Sequence, residues 1–148
     1  MGAKLIRKSR HTIDSVLSKA NFGYGKRYRV NMFGDEVRMG SLRYKCFIKR
    51  GIKCVECGIE GKYFAKECGR GNNKEVYHFN LYALDAKGKE ILMTKDHIIP
   101  KSKGGKDHIS NLQTMCEHCN CKKGSDIVDE RIIISNETIY WEYCNDVW

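Results

Sequence analysis

The 148-residue sequence has a single proline, Pro100, and no apolar run longer than a few residues. A bilayer-spanning helix needs about 18–20 consecutive apolar residues. Ile132-Ile133-Ile134 is among the longest greasy stretches here, so no membrane span and no membrane partner are expected. The opening residues, MGAKLIRKSRHTIDSV, lack the apolar segment of a secretory leader. Ile6 stands where an N-myristoylation motif wants Ser or Thr. Internal repeats, low-complexity tracts and linkers are absent as well. The length suits one domain, or one core with an extension, and a cytoplasmic location is expected.

Acidic residues are also few. Eighteen Asp+Glu against 27 Lys+Arg give a net charge of +9, which favours a polyanionic partner. The imbalance is local. Residues 1–53 hold 14 Lys+Arg and three acids, a net of +11, whereas residues 54–148 hold 13 and 15, a net of −2. The basic segment interleaves cations with aromatics from Phe22 to Arg29. Arg27 and Arg29 there, with Arg43 further on, are candidate phosphate contacts, and Tyr and Phe can stack or pack beside them. Residues 11–20 read as a short helix capped by Thr12, with Ile13, Val16 and Leu17 on one face. Residues 41–50 read as a second helix stopped by Gly51.

The sequence is not short of cysteine. It has eight, with no export signal to suggest disulfides. Cys54-Val55-Glu56-Cys57 and Cys116-Glu117-His118-Cys119 are two CxxC knuckles, each able to offer two thiolates from a tight turn. Together they make a tetrahedral four-cysteine site for structural Zn²⁺. Cys121 or His118 remains an alternative to Cys119 as the fourth ligand. Cys46, Cys68, Cys121 and Cys144 are otherwise expected to be free. Residues 58–115 lie between the knuckles, far more than a compact zinc ribbon holds, so a folded insertion is expected there.

Within that insertion residues 75–84 alternate as a strand, residues 85–89 turn, and residues 90–95 form a second strand, giving a β-hairpin. A loop with Gly104-Gly105, a short strand over 111–115 and a helix from about Glu117 to Gly124 follow. The tail has β-rich runs over 131–135 and 138–143 and is expected to pack on the core. The second strand of the hairpin leads into Asp96-His97-Ile98-Ile99-Pro100. Phosphodiester hydrolysis needs a base, a cation at the scissile phosphate and a rigid frame. His97 is a candidate base, since an unperturbed imidazole changes charge near neutrality, and Asp96 is a hard oxygen ligand suited to Mg²⁺. Neighbours on a regular strand face opposite ways, so the pair serves one site only where the strand bends or ends. Asn120 and Lys123, three residues apart on a helix, share a face. Asn120 can give a second oxygen to a metal and Lys123 can hold phosphate. Lys101 and Lys103 in the intervening loop are further candidate DNA contacts.

Residues 93–124, with Asp-His-Ile-x-Pro, Asn-Leu-Gln and Cys-x-x-Cys-Asn in that order, resemble the HNH endonucleases, the ββα-metal nucleases. The resemblance implies an α+β fold with a small zinc-stapled ββα-metal core over residues 54–125; the charge asymmetry adds the expectation of a basic, partly helical DNA-contacting extension over 1–53, and the β-rich tail that of a cover packed on the core over 126–148. It implies that His97 is the general base, that Asp96 and Asn120 hold a catalytic Mg²⁺ or Mn²⁺, and that Asn111 braces the loop between the strands. It implies double-stranded DNA as partner and endonuclease activity, by nicking or by double-strand cleavage; the latter needs two active sites and hence a homodimer. A phage-encoded or mobile enzyme acting inside a host cell fits the small size. A zinc deaminase is excluded, since it needs His-x-Glu and Pro-Cys-x-x-Cys. A non-catalytic zinc module that binds nucleic acid explains the cysteines and the basic segment but leaves Asp96, His97, Asn111 and Asn120 without a role.

Overall fold

The computed structural model describes residues 5–69 and 76–124; the expected strands after residue 130, the covering tail and Cys144 lie outside these. The chain forms strand β1 (Leu5–His11), helix α1 (Ile13–Leu17), a hairpin of β2 (Arg29–Met32) and β3 (Asp35–Arg38), and helix α2 (Leu42–Arg50). Strands β4 (Gly61–Gly69), β5 (His78–Leu84), β6 (Glu90–His97) and β7 (Leu112–Cys116) follow, and helix α3 (Glu117–Lys123) closes the described part. Strands β1-β4-β5-β6-β7 make one sheet, antiparallel throughout. The architecture is mixed α+β, dominated by strands, as expected.

Local signals explain the elements that were legible. Thr12 Oγ1 accepts from the Ser15 amide and caps α1, and Ser41 caps α2 in the same way. Gly51, at φ 88°, ends α2 where a side chain would be strained. In the β5–β6 turn the Asp85 carboxylate accepts from the Lys87 and Lys89 amides.

The core sits between α2 and the sheet. Tyr44, Phe47, Phe64, Phe79 and Leu81 are buried there. Phe64 lies 6.1–6.3 Å, centroid to centroid, from Phe47, Tyr44 and Phe79, a spacing at which rings pack edge to face or tilted. The buried Tyr44 hydroxyl accepts from the Phe79 amide at 3.0 Å, so the strand keeps its hydrogen bond where no neighbour strand supplies one.

The basic segment is woven into this core. β1 pairs with β4 along its length, and Val16, Met32, Val37 and Met39 are buried in the same cluster as Phe64 and Phe79. Many of its cations are spent on ion pairs. Arg7 spans Glu67 and Glu90, Lys8 meets Asp35, and Arg29 meets Glu36. Lys66 of β4 is buried, with its ammonium 2.7 Å from Asp35 and bonded to the Met32 and Phe33 carbonyls, which fastens the β2–β3 hairpin to the sheet. Removal from water without such partners would cost several kcal/mol.

Candidate active site

The two CxxC knuckles come together although the chain between them builds four strands. Cys54 and Cys57 lie in the turn after α2, closed by the Gly58 amide on the Cys54 carbonyl. Cys116 ends β7 and caps α3, its sulfur accepting from the Cys119 amide. Val55 donates to the Thr114 carbonyl, and the Thr114 hydroxyl donates to that of Gly51, so the first knuckle is tied to β7. The four sulfurs lie within 4.8 Å of one another, and Cys57 Sγ is 3.8 Å from Cys116 Sγ. A tetrahedral ion with metal–sulfur bonds of about 2.3 Å sets sulfurs about 3.8 Å apart. The cluster therefore fits zinc, with Cys119 and not Cys121 or His118 as its fourth member. Cys46 and Cys68 are buried free thiols, whereas Cys121, expected to be free, is disulfide-bonded.

The thiols cannot all ionise at such distances without a cation between them. Burial opposes ionisation of Cys54, but the backbone amides of the knuckle outweigh it and bring its pKa to about 7. Burial and the neighbouring sulfurs hold Cys119 well above the usual thiol range. A divalent ion would remove that conflict and hold all four as thiolates.

β6, β7 and α3 form a ββα unit. β6 and β7 pair from Met93↔Cys116 to His97↔Leu112, and β6 ends at His97, as the motif requires. Asp96 and Thr94 share the face covered by α3, while His97 and Lys95 share the other. Asn120 Nδ2 donates to the Thr94 hydroxyl at 2.9 Å, and Lys123, one helical turn on, reaches Asp96 Oδ2 at 2.7 Å. The helix face expected from sequence is present, but set so that Lys123 stands at Asp96 while Asn120 stands at Thr94. Gln113 also donates to Asp96 Oδ2, and Lys123 to the His97 carbonyl. Asp96 is thus a buried carboxylate with a cation beside it.

Asn111 staples the loop after β6. Its Oδ1 accepts from the Ile99 amide, and its Nδ2 donates to the Ile99 and Lys106 carbonyls. Gly105 is needed at this crossing, because a Cβ there would lie 1.7 Å from the Ile99 carbonyl oxygen. The loop carries Asp107 back to His97, with Oδ1 2.6 Å from Nε2. Hydrogen bonds from His97 and then Lys101 hold Asp107 well below the usual carboxylate range, so it is ionised. An ionised carboxylate only accepts, so His97 donates to it through Nε2, and Nδ1 is the ring nitrogen turned away from Asp107. Asp107 carries no signature of this role in the sequence: an acid in a Lys- and Gly-rich loop looks like solvation until the loop is folded.

The expected phosphate contacts are dispersed. Lys101 is 3.0 Å from Asp107, Lys103 and Arg27 are exposed, and Lys123 is bound to Asp96. Arg43 is half-buried, donating to the Phe79 carbonyl. His78 lines a cleft beside it, and burial, then Arg43 and Arg38, push its pKa down to about 4. No helix among the described residues is long and apolar enough to cross a membrane.

Residues 85–134 match the family model of HNH endonucleases. The match spans β6, β7, α3 and the loop between them, so this stretch is similar to the HNH endonucleases, a likeness that suggests a nuclease. No curated protein and no solved structure matches the chain significantly.

Proposed function

We propose that the protein is a metal-dependent endonuclease that hydrolyses DNA phosphodiester bonds with His97 as general base. The observation that carries this reading is the pairing of His97 with Asp107 at the end of β6, beside the face where Asp96 and α3 meet. Asp107 fixes the tautomer, and His97 Nδ1 is then the atom that takes a proton from the attacking water. General-base assistance of this kind contributes about 10²–10⁴ in rate.

Asp96 and Asn120 would hold the catalytic divalent ion. One carboxylate and one amide oxygen are hard donors that suit Mg²⁺ or Mn²⁺. Asp96 Oδ1 and Asn120 Oδ1 make no hydrogen bond among the described residues, which leaves both oxygens for a ligand. Such an ion, when bound, supplies Lewis-acid stabilisation of the leaving oxygen. Lys123 balances the buried Asp96 charge and lies close enough to His97 to turn its ammonium toward a phosphate. Asn111 and Gly105 keep the loop, and hence Asp107, in place. The four cysteines frame the unit and take no part in the chemistry. One such site nicks one strand.

The test is relaxation of supercoiled plasmid by zinc-loaded protein with Mg²⁺, with Mn²⁺ and with neither. Conversion to open circles only with added metal supports the reading. Intact plasmid under all three conditions, with protein that is folded and zinc-loaded, overturns it.

A further inference from the structure

Away from Asp96, on the His97 side of β6, the structure holds a second concentration of charge. β5 and β6 are paired only from Tyr82↔Leu92 to Leu84↔Glu90. Beyond that pairing His78 of β5 and Lys95 of β6 border a cleft of about 330 Å³, together with Lys26, Arg38, Ser41 and Arg43. Among the described residues no carboxylate lines it. Asp107 lies at its edge, 3.6 Å from Lys26, but already serves His97 and Lys101. Arg38, Arg43 and Lys95 make no ion pair among the described residues, and the buried Nε atoms of both arginines have no hydrogen-bond partner. Burial works against the charge on Lys95. The N-terminus of α2 also ends here, at Ser41, and adds partial positive charge. Asp107 is the one acid among the main influences on Lys95 that favours its charge, and half-buried cations that outnumber their counter-charge are costly unless an anion completes them.

We propose that this cleft is a second phosphate site, which holds a backbone phosphate of the DNA strand near the one presented to His97. The proposal rests on the endonuclease reading. Lys95 and His97 lie on the same face of β6, about 7 Å apart along the strand. A DNA strand carries a phosphate about every 3.4 Å of helix axis. A strand whose scissile phosphate meets His97 therefore places a phosphate one or two nucleotides away over Lys95 and the arginines. His78, uncharged near neutral pH, offers a ring nitrogen and no further charge. Of the cleft's charged residues only Lys95 lies within the HNH match, so the site belongs to the β2–β3 hairpin, α2 and the Lys26 loop of this chain.

The experiment is fluorescence anisotropy of a labelled duplex against full-length, zinc-loaded protein without added divalent metal, so that no cleavage is required. Arg38→Gln and Lys95→Gln are compared with Lys87→Gln, which removes the same charge at the β5–β6 turn, the opposite end of β6 from His97. The two cleft variants should each weaken binding at least threefold and flatten the log–log salt dependence by about 0.9, with Lys87→Gln close to wild type. Cleft variants that match Lys87→Gln overturn the proposal. So does a wild-type Tm raised by inorganic phosphate alone, with duplex affinity unchanged in the variants, which would make the cleft a free-anion site. Adding Mg²⁺ afterwards separates the two readings: cleft-dependent binding without cleavage leaves the phosphate site standing and removes the nuclease.

Discussion

Asp107 Oδ1 lies 2.6 Å from His97 Nε2, although the two stand ten positions apart in sequence. The pair has the geometry of a base with its orienting carboxylate, which holds Nε2 and turns Nδ1 away from it. Asp107→Asn keeps the shape but lets the amide present either a donor or an acceptor to the ring. Turnover at saturating DNA should fall about 10–10²-fold, the range for groups that orient a reacting side chain, with Asp107→Glu recovering part of it. Affinity should hold or rise slightly, since a negative charge near the DNA is lost. Single-turnover rates and binding curves separate the two effects; a wild-type rate for Asp107→Asn would remove Asp107 from the mechanism.

Cys54→Ser and Cys116→Ser each leave three of the four cluster sulfurs to hold a zinc ion. The knuckles join the end of α2 to the start of α3, so the loss should appear as loss of folding as well as of activity. Metal analysis should find one tightly held zinc per wild-type chain. Freshly purified, active protein without zinc would contradict the four-cysteine site.

His78 gives a pH signature. Its pKa falls from the ordinary 6.5 to about 4 on folding, so the unfolded chain binds the extra proton between those values. Stability is then full above about pH 6.5, falls as the pH drops toward 4, and levels below that. The shift corresponds to roughly 3 kcal/mol at most. Denaturant titrations at pH 7, 5.5 and 4 should show a steeper acid loss for wild type than for His78→Gln. Parallel losses would mean that His78 is not held neutral.

Deletion of residues 1–36 should unfold the protein. It removes β1 from the sheet and Val16 and Met32 from the core, and losing even one large buried side chain costs about 2–5 kcal/mol. A soluble truncation that melts cooperatively at the wild-type temperature would show instead that the segment is an appended arm.

The chemistry was legible in the sequence where its residues are contiguous. The hairpin, the strand before Cys116 and the helix after it fall within a few residues of their expected bounds, because the turn at Asp85, the Asp96-His97 pair and the knuckle fix them locally. β1 and β4 were not legible. β1, with three cations in seven residues, reads as a solvated tail until Glu67, Glu90 and Asp35 are seen to pair with it. β4 buries Lys66 and Glu67, so its hydrophobic pattern does not alternate. Asp107 and the Arg38–Lys95 cleft depend on contacts across the fold that spacing does not encode.

The most direct measurement is the rate of plasmid nicking in Mg²⁺ by wild type and His97→Ala at matched DNA occupancy. His97→Ala should lose about 10²–10⁴ in rate while binding the duplex within a few fold of wild type. Nicking at the wild-type rate by His97→Ala, from protein shown to be folded and zinc-loaded, would contradict the assignment of the base and with it the mechanism.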